Sequence, residues 1–126
     1  MCSVLLVDDN VQLLEFYGLV LEEAGHQVRA ADTCARALVL LREIDPEIVI
    51  MDLRVPEMED GLGLIRTLKA HLRAPGRRPL KVVVTSGWIE DLAGTPERDS
   101  VDCVLPKPVR MELLLQSIAR LAPAAG

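Results

Sequence analysis

Ile48-Val49-Ile50-Met51 is a run of four apolar residues, mostly β-branched, that stops on a carboxylate, Asp52. A run of this kind without polar alternation predicts a strand covered on both faces, as in a parallel sheet flanked by helices. It also places Asp52 at a strand's carboxyl end, the edge where open parallel α/β sheets carry their ligand chemistry. Val4-Leu5-Leu6-Val7 repeats the pattern and ends in Asp8 and Asp9. Two such strands side by side would deliver three carboxylates to one rim.

The remaining segments supply a frame for that meeting. Ser3 to Val7 is the first strand. Leu13, Leu14, Tyr17, Val20, Leu21 and Ala24 then recur at helical spacing, with Asp9 or Asn10 as cap and Gly25 as stop. Gln27 to Ala30 is a shorter, polar strand suited to an edge. Asp32 or Thr33 opens a second helix with Ala37, Leu38 and Leu41 inward, and Pro46 closes the connection. After Asp52, Leu53 to Gly61 reads as a loop rich in charge and breakers, followed by a helix with Leu62, Ile65 and Leu68 inward. Val82 to Val84 is a fourth strand ending in Thr85, Ser86 and Gly87. Trp88 to Ser100 has room for a helix, but Gly94, Thr95 and Pro96 interrupt it. Val101 to Leu105 is the last strand, Pro106-Lys107-Pro108 turns the chain, and Arg110 to Leu121 is a helix with Met111, Leu114, Ile118 and Leu121 inward.

Strand and helix thus alternate five times, which predicts an α/β fold: a doubly wound five-stranded parallel sheet, a flavodoxin-like (βα)5 three-layer sandwich of strand order 2-1-3-4-5. In that order the first and third strands are neighbours, and Asp8, Asp9 and Asp52 share one pocket. The last strand is an edge, where Pro106 removes no interior ladder bond.

At 126 residues, half of them apolar, the chain is one domain's worth, with a core expected over 3–121 and a tail at 122–126. A net charge of −5 and only three aromatics, Phe16, Tyr17 and Trp88, argue against a nucleic-acid surface. The basic stretch Arg73 to Lys81 is broken by Pro75, Gly76 and Pro79 and reads as a solvated loop. Cys2, Cys34 and Cys103 are odd in number and lack CxxC spacing, so reduced thiols are expected. The chain enters its first strand at once, leaving no room for a signal peptide, and no apolar run approaches the roughly 18 residues of a membrane span. A soluble cytoplasmic protein follows as the expectation.

Four of the five strands end in residues useful for phosphoryl chemistry: Asp8 with Asp9, Asp52, Thr85, and Lys107. Three ionised carboxylates within about 5 Å repel by roughly 3 kcal/mol per pair at an effective dielectric near 20. Lys107 offers one compensating charge, and a hard divalent cation, magnesium first, suits the oxygen donors. So compensated, Asp52 is a nucleophile toward phosphorus that needs no base, with Lys107 and the Thr85 hydroxyl meeting charge on the phosphoryl oxygens. Each residue alone has a plainer explanation. Asp after a strand is often a helix cap, Thr85 a turn hydroxyl, and a Lys between prolines merely solvated. None of these explanations predicts that all four gather at one end of the sheet.

The combination of Val-Asp-Asp after the first strand, Asp52 with its Pro-containing loop and Gly61, Thr85-Ser86-Gly87 and Lys107-Pro108 resembles the response-regulator receiver domain of two-component signalling, from Ser3 to Leu121. The resemblance implies that Asp52 accepts a phosphoryl group from a phosphohistidine on a sensor histidine kinase or a histidine phosphotransfer protein. It implies magnesium held by Asp9, Asp52 and the backbone carbonyl of Arg54, with Asp8 acting through a coordinated water. Lys107 and Ser86 would bind the phosphoryl group, and Thr85 would move toward it. A receiver of this type can catalyse its own magnesium-dependent phosphorylation and dephosphorylation without being a conventional enzyme. Lys107-Pro108 is a candidate cis bond. Three departures stand out: Val104 occupies the switch position usually held by Tyr or Phe, the loop after Asp52 carries Glu57, Glu59 and Asp60, and the fourth helix is broken.

The leading expectation is therefore a phosphorylation-dependent switch that acts by binding a downstream protein. A homodimer or partner contact is expected through the last two helices and strand 5, with a plain solvated face as the alternative. A docking module independent of phosphorylation is the competing expectation, motivated by Val104 and the broken helix. An excised receiver from a hybrid kinase or longer regulator is another, although Met1 directly before the first strand favours a natural start. An aspartate-nucleophile phosphatase ranks lower, because Arg54 stands where those enzymes carry a second Asp.

Overall fold

The computed structural model describes residues 2–72, 80–88 and 92–122. The basic stretch at 73–79, residues 89–91 of the interrupted helix and the tail at 123–126 lie outside them.

Five strands, β1 (Ser3–Val7), β2 (Gln27–Ala31), β3 (Ile48–Asp52), β4 (Lys81–Ser86) and β5 (Cys103–Pro106), alternate with helices α1 (Val11–Glu23), α2 (Cys34–Ile44), α3 (Met58–Leu72) and α4 (Met111–Leu121). The sheet is parallel throughout, in the order β2-β1-β3-β4-β5. This is the flavodoxin-like α/β architecture anticipated from the pattern.

The uninterrupted apolar runs have a direct cause. On one face Leu5, Val7, Val49, Met51, Val82 and Val84 pack with the apolar residues of α2 and α3. On the other, Val4, Leu6, Ile48, Ile50 and Val83 pack with Leu14 and Leu21 of α1 and with Leu114 and Ile118 of α4. Successive residues point to opposite faces, and both faces are covered, so the stretches Val4–Val7, Ile48–Met51 and Val82–Val84 carry apolar side chains alone. Each fully buried Val, Leu, Ile or Met contributes about 1.5–3 kcal/mol relative to exposure.

Helix ends follow local chemistry. Asn10 caps α1 by accepting from Leu13 N, and Thr33 caps α2 by accepting from Arg36 N. Gly25, at φ +95°, takes the left-handed turn after α1.

Of the boundaries that differ from expectation, three bear on the carboxyl edge. Helix α3 begins at Met58, so Glu59 and Asp60 lie in its first turn, not in a loop. Carboxylates are favoured at a helix's positive end, and Asp60 Oδ2 accepts from Glu57 N at 3.2 Å. In place of an interrupted α-helix, the described part of 88–100 ends in a 3₁₀ helix, Pro96–Ser100, with Pro96 opening its first turn. Finally, β5 runs from Cys103 to Pro106, because its partner ladder on β4 starts at Val83↔Cys103.

The register sets the rim. Val7 lies beside Met51, Asp52 beside Thr85, and Ser86 beside Pro106. The residues that follow or end these strands therefore emerge in a row along the carboxyl edge. Among the described residues, no helix is long and apolar enough to cross a membrane.

Candidate functional site

Asp8 leaves β1 buried, 3% exposed, and Asp52 ends β3 half-buried. Lys107, one residue beyond β5, reaches back across the rim and donates to both: Nζ lies 3.0 Å from Asp8 Oδ2 and 3.1 Å from Asp52 Oδ2. Backbone amides fix the remaining oxygens, Asn10 N donating to Asp8 Oδ1 at 2.9 Å and Arg54 N to Asp52 Oδ1 at 3.3 Å. Asp9 is exposed, yet one oxygen from each of Asp8, Asp9 and Asp52 falls within a 4.8 Å group. The three carboxylates and the ammonium expected at one edge are brought together there.

Charge and burial act against each other in this cluster. Burial pushes the Asp52 carboxyl above its ordinary value, opposed by the hydrogen bond and charge of Lys107; the Asp8 charge raises it further, and the Arg54 amide lowers it. For Lys107 burial works to lower the value, but the bonds and charges of Asp8 and Asp52 outweigh it and raise the ammonium above its usual range. Lys107 is thus firmly cationic beside the nucleophile candidate. Hard carboxylate oxygens at this spacing are the donor set that magnesium prefers.

The other expected residues are placed less simply. Thr85 is buried beside Asp52, with its hydroxyl donating to Met51 O at 3.4 Å. Ser86 closes a turn, its hydroxyl donating to Trp88 O at 2.8 Å and accepting from Trp88 N at 3.1 Å. Val104 is half-buried against the core on the α2 and α3 side. Arg54 lies two residues after Asp52, exposed, and reaches the site through its backbone N–H. Of the acidic residues after Asp52, Asp60 is engaged by Glu57 N, and Glu59 lies 3.7 Å from Arg66. The Lys107-Pro108 bond is cis, as anticipated, and so is Val55-Pro56.

One residue near the rim carried no functional signal in the sequence. Tyr17 of α1 has its hydroxyl shifted upward by burial, and the charges of Lys107, Asp8 and Asp52 all act on it. Helical spacing marked it only as an inward position.

Residues 4–119 match the family model for the response regulator receiver domain. The chain belongs to that family. As a receiver it is 35% identical over 115 residues to the transcriptional regulatory protein GlrR of Escherichia coli K12, covering 91% of this chain and 25% of GlrR. It is 46% identical over 66 residues to the virulence transcriptional regulatory protein PhoP of Salmonella typhimurium, covering 52% of this chain and 29% of PhoP. The receiver therefore spans about a quarter of the length of these curated relatives. Among solved structures, the CheY-like receiver domain from Methylobacillus flagellatus superposes with a TM-score of 0.82 at 26% identity, covering 94% of this chain and 97% of that one. A signal receiver domain from Bermanella marisrubri gives 0.78 at 28% identity, covering 96% and 98%. Membership places the chain among the phosphoacceptor signalling modules of two-component systems, not among conventional enzymes.

Proposed function

We propose that this receiver is a phosphorylation-dependent switch in which Asp52 accepts a phosphoryl group from a phosphohistidine on a sensor histidine kinase or histidine phosphotransfer protein. The observation that carries this reading is the Lys107 ammonium held between Asp8 and Asp52 at 3.0 and 3.1 Å. An Asp52 oxygen bonds to phosphorus as the phosphorus–nitrogen bond breaks, and the imidazole leaves neutral, keeping the proton on its other nitrogen. Lys107 meets the charge on the phosphoryl oxygens. The Thr85 hydroxyl turns from the Met51 carbonyl toward them, and Ser86 leaves its turn with Trp88 to contribute a donor.

Asp9, Asp52 and the Arg54 backbone carbonyl would hold magnesium, with Asp8 contributing mainly through a coordinated water. When bound, the ion offsets the carboxylate charge and polarises the phosphoryl oxygens. The same groups support self-catalysed phosphorylation and dephosphorylation.

The domain is the whole of 1–126, with its core at 3–121, and it works in the cytoplasm. Its output is protein binding through the 3₁₀ segment, β5 and α4, including a homodimer on that face, with no nucleic acid or membrane as partner. As in GlrR and PhoP, which are much longer, it can also serve as one part of a larger regulator.

Incubation with labelled acetyl phosphate and magnesium should label wild type at one site and leave Asp52→Asn unlabelled. A second reading, a docking module independent of phosphate, is favoured by the aliphatic Val104 and the 3₁₀ helix at the output face. Absence of uptake by wild type would select it.

A further inference from the structure

Tyr17 is buried at 4% exposure on a helix face otherwise packed by Leu14, Gly18 and Leu21. Its ring borders two adjoining spaces beneath the rim. One is a closed seam shared with Asp8, Leu14, Ile50 and Thr85. The other is a surface groove of about 470 Å³, where it faces Lys107, Pro108 and Val109. Tyr17 is the side chain common to both, with the nucleophile's neighbours on one side and the lysine on the other.

The lysine has particular need of such a wall. Its four-carbon stem carries about 2 kcal/mol of rotamer entropy, and an ammonium is strongly hydrated, so a free Lys swings into water. Here the side chain is only 21% exposed, and Nζ stays on two carboxylates. An aromatic ring provides a flat barrier with few rotors of its own to freeze.

We propose that Tyr17 is a positioning residue: its ring closes the inner side of the Lys107 stem and so keeps the ammonium on Asp8 and Asp52. It acts through Lys107, and its hydroxyl is not required. The consequence for phosphorylation rests on the function proposed above, whereas the placement of Lys107 does not.

The test follows the side-chain ammonium resonance of Lys107 by 15N NMR. The chain has three lysines, Lys69, Lys81 and Lys107, so Lys107→Arg identifies the signal. Wild type and Tyr17→Phe should show a slowly exchanging Lys107 ammonium. Tyr17→Leu should lose it and take phosphate from acetyl phosphate about tenfold more slowly, as expected for a misplaced charged group. Magnesium affinity should rise as the ammonium leaves Asp8 and Asp52, whereas a variant whose carboxylates had themselves been displaced would lose it. A Tyr17→Leu protein that keeps the ammonium signal overturns the proposal, whatever its labelling rate. Loss of the signal in Tyr17→Phe overturns the claim that the ring suffices. Should Tyr17→Leu not fold, nuclear Overhauser contacts between the Tyr17 ring and the Lys107 methylenes in wild type decide: present they support the wall, absent they remove it. A wild type that takes no phosphate but shows the expected ammonium behaviour refutes the proposed function and leaves the positioning role standing.

Discussion

Replacing Gly61 with Ala sets two effects of opposite sign against each other. Gly61 lies in the first turn of α3 with no positive φ, so helix propensity alone predicts that Ala stabilises by about 1 kcal/mol. The approach of the neighbouring chain says the reverse. A Cβ at Gly61 would lie 1.7 Å from the Leu53 carbonyl oxygen, 2.6 Å from its carbon and 3.1 Å from its Cα. The two backbones must part by about 1.3 Å merely to reach the 3.0 Å that real Cβ contacts keep. No side chain can yield, because the obstacle is the backbone of the residue directly after Asp52. Overpacking of this kind costs about 1–3 kcal/mol and more where backbone must move, so a net loss of about 3 kcal/mol is expected. For a domain of this size that is a fall in Tm of about 10 °C or more. Gly63→Ala is the matched control: its Cβ meets only the Arg66 guanidinium, at an ordinary 3.6 Å, and should stabilise slightly. Urea unfolding of both variants beside wild type measures the difference. A Gly61→Ala protein as stable as Gly63→Ala would falsify the close approach, and with it the argument that α3 is pinned to the strand end bearing Asp52.

Three further outcomes follow. Magnesium at about 100 times its Kd should stabilise the fold by about 2.7 kcal/mol in thermal melts, and Asp9→Asn should lose most of that gain. His26 accepts from Cys2 N at 3.1 Å, and burial holds it below its ordinary 6.5, so the folded state prefers the neutral ring. That stability is complete above 6.5 and is lost as pH falls through the lower folded value; a melt series in which His26→Asn shows the same acid loss would disprove the assignment. Arg66 bonds Glu97 at 2.6 Å and pulls its carboxyl down, an interaction present above the ordinary 4.5 and lost as pH falls through the depressed value. Arg66→Met should therefore speed amide exchange across Pro96–Ser100, with exchange in β1 unchanged.

The rim was legible because the middle of a strand covered on both faces is apolar, so the first polar residue after each run marks the carboxyl end of the sheet. Asp8, Asp52 and Thr85 could be placed this way, and Lys107 by the proline turn around it. The start of α3 was not, since Glu59, Asp60 and Gly61 carry loop composition. What makes them helical is a cap formed between Glu57 and Asp60 and a close pass over Leu53, the second of which exists only once β3 is in place. The segment before β5 likewise announced an interruption without announcing its outcome. Burial of Leu92 and Val101 and the reach of Arg66 to Glu97 decide it, across long sequence separation. Nor could spacing reveal that the Thr85 and Ser86 hydroxyls are engaged with Met51 and Trp88, because strand periodicity fixes the face a side chain takes but not its hydrogen-bond partner.

The charge of the pocket ties these placements to its chemistry. Asp8, Asp9 and Asp52 with Lys107 carry a formal charge of −2, the amount one divalent cation compensates. Lys107 alone cannot serve both duties. If it fully balanced the carboxylates, the pocket would hold no excess positive field for an incoming phosphoryl group; with a dication present the ammonium is released from part of that task and can turn to the phosphoryl oxygens. Lys107→Ala should then have opposite effects on two observables. Magnesium should bind more tightly, because a competing cation 3.0–3.1 Å from two carboxylates of the cluster, Asp8 and Asp52, has gone. Phosphate uptake from acetyl phosphate should slow by about a hundredfold, as for removal of a single preorganised charge from a transition state. Titration of magnesium against Trp88 fluorescence gives the first, and labelling at saturating magnesium gives the second. A variant that weakens magnesium binding would show that Lys107 supports the carboxylate cluster and does not compete with the ion, and the division of labour argued for this rim would fail.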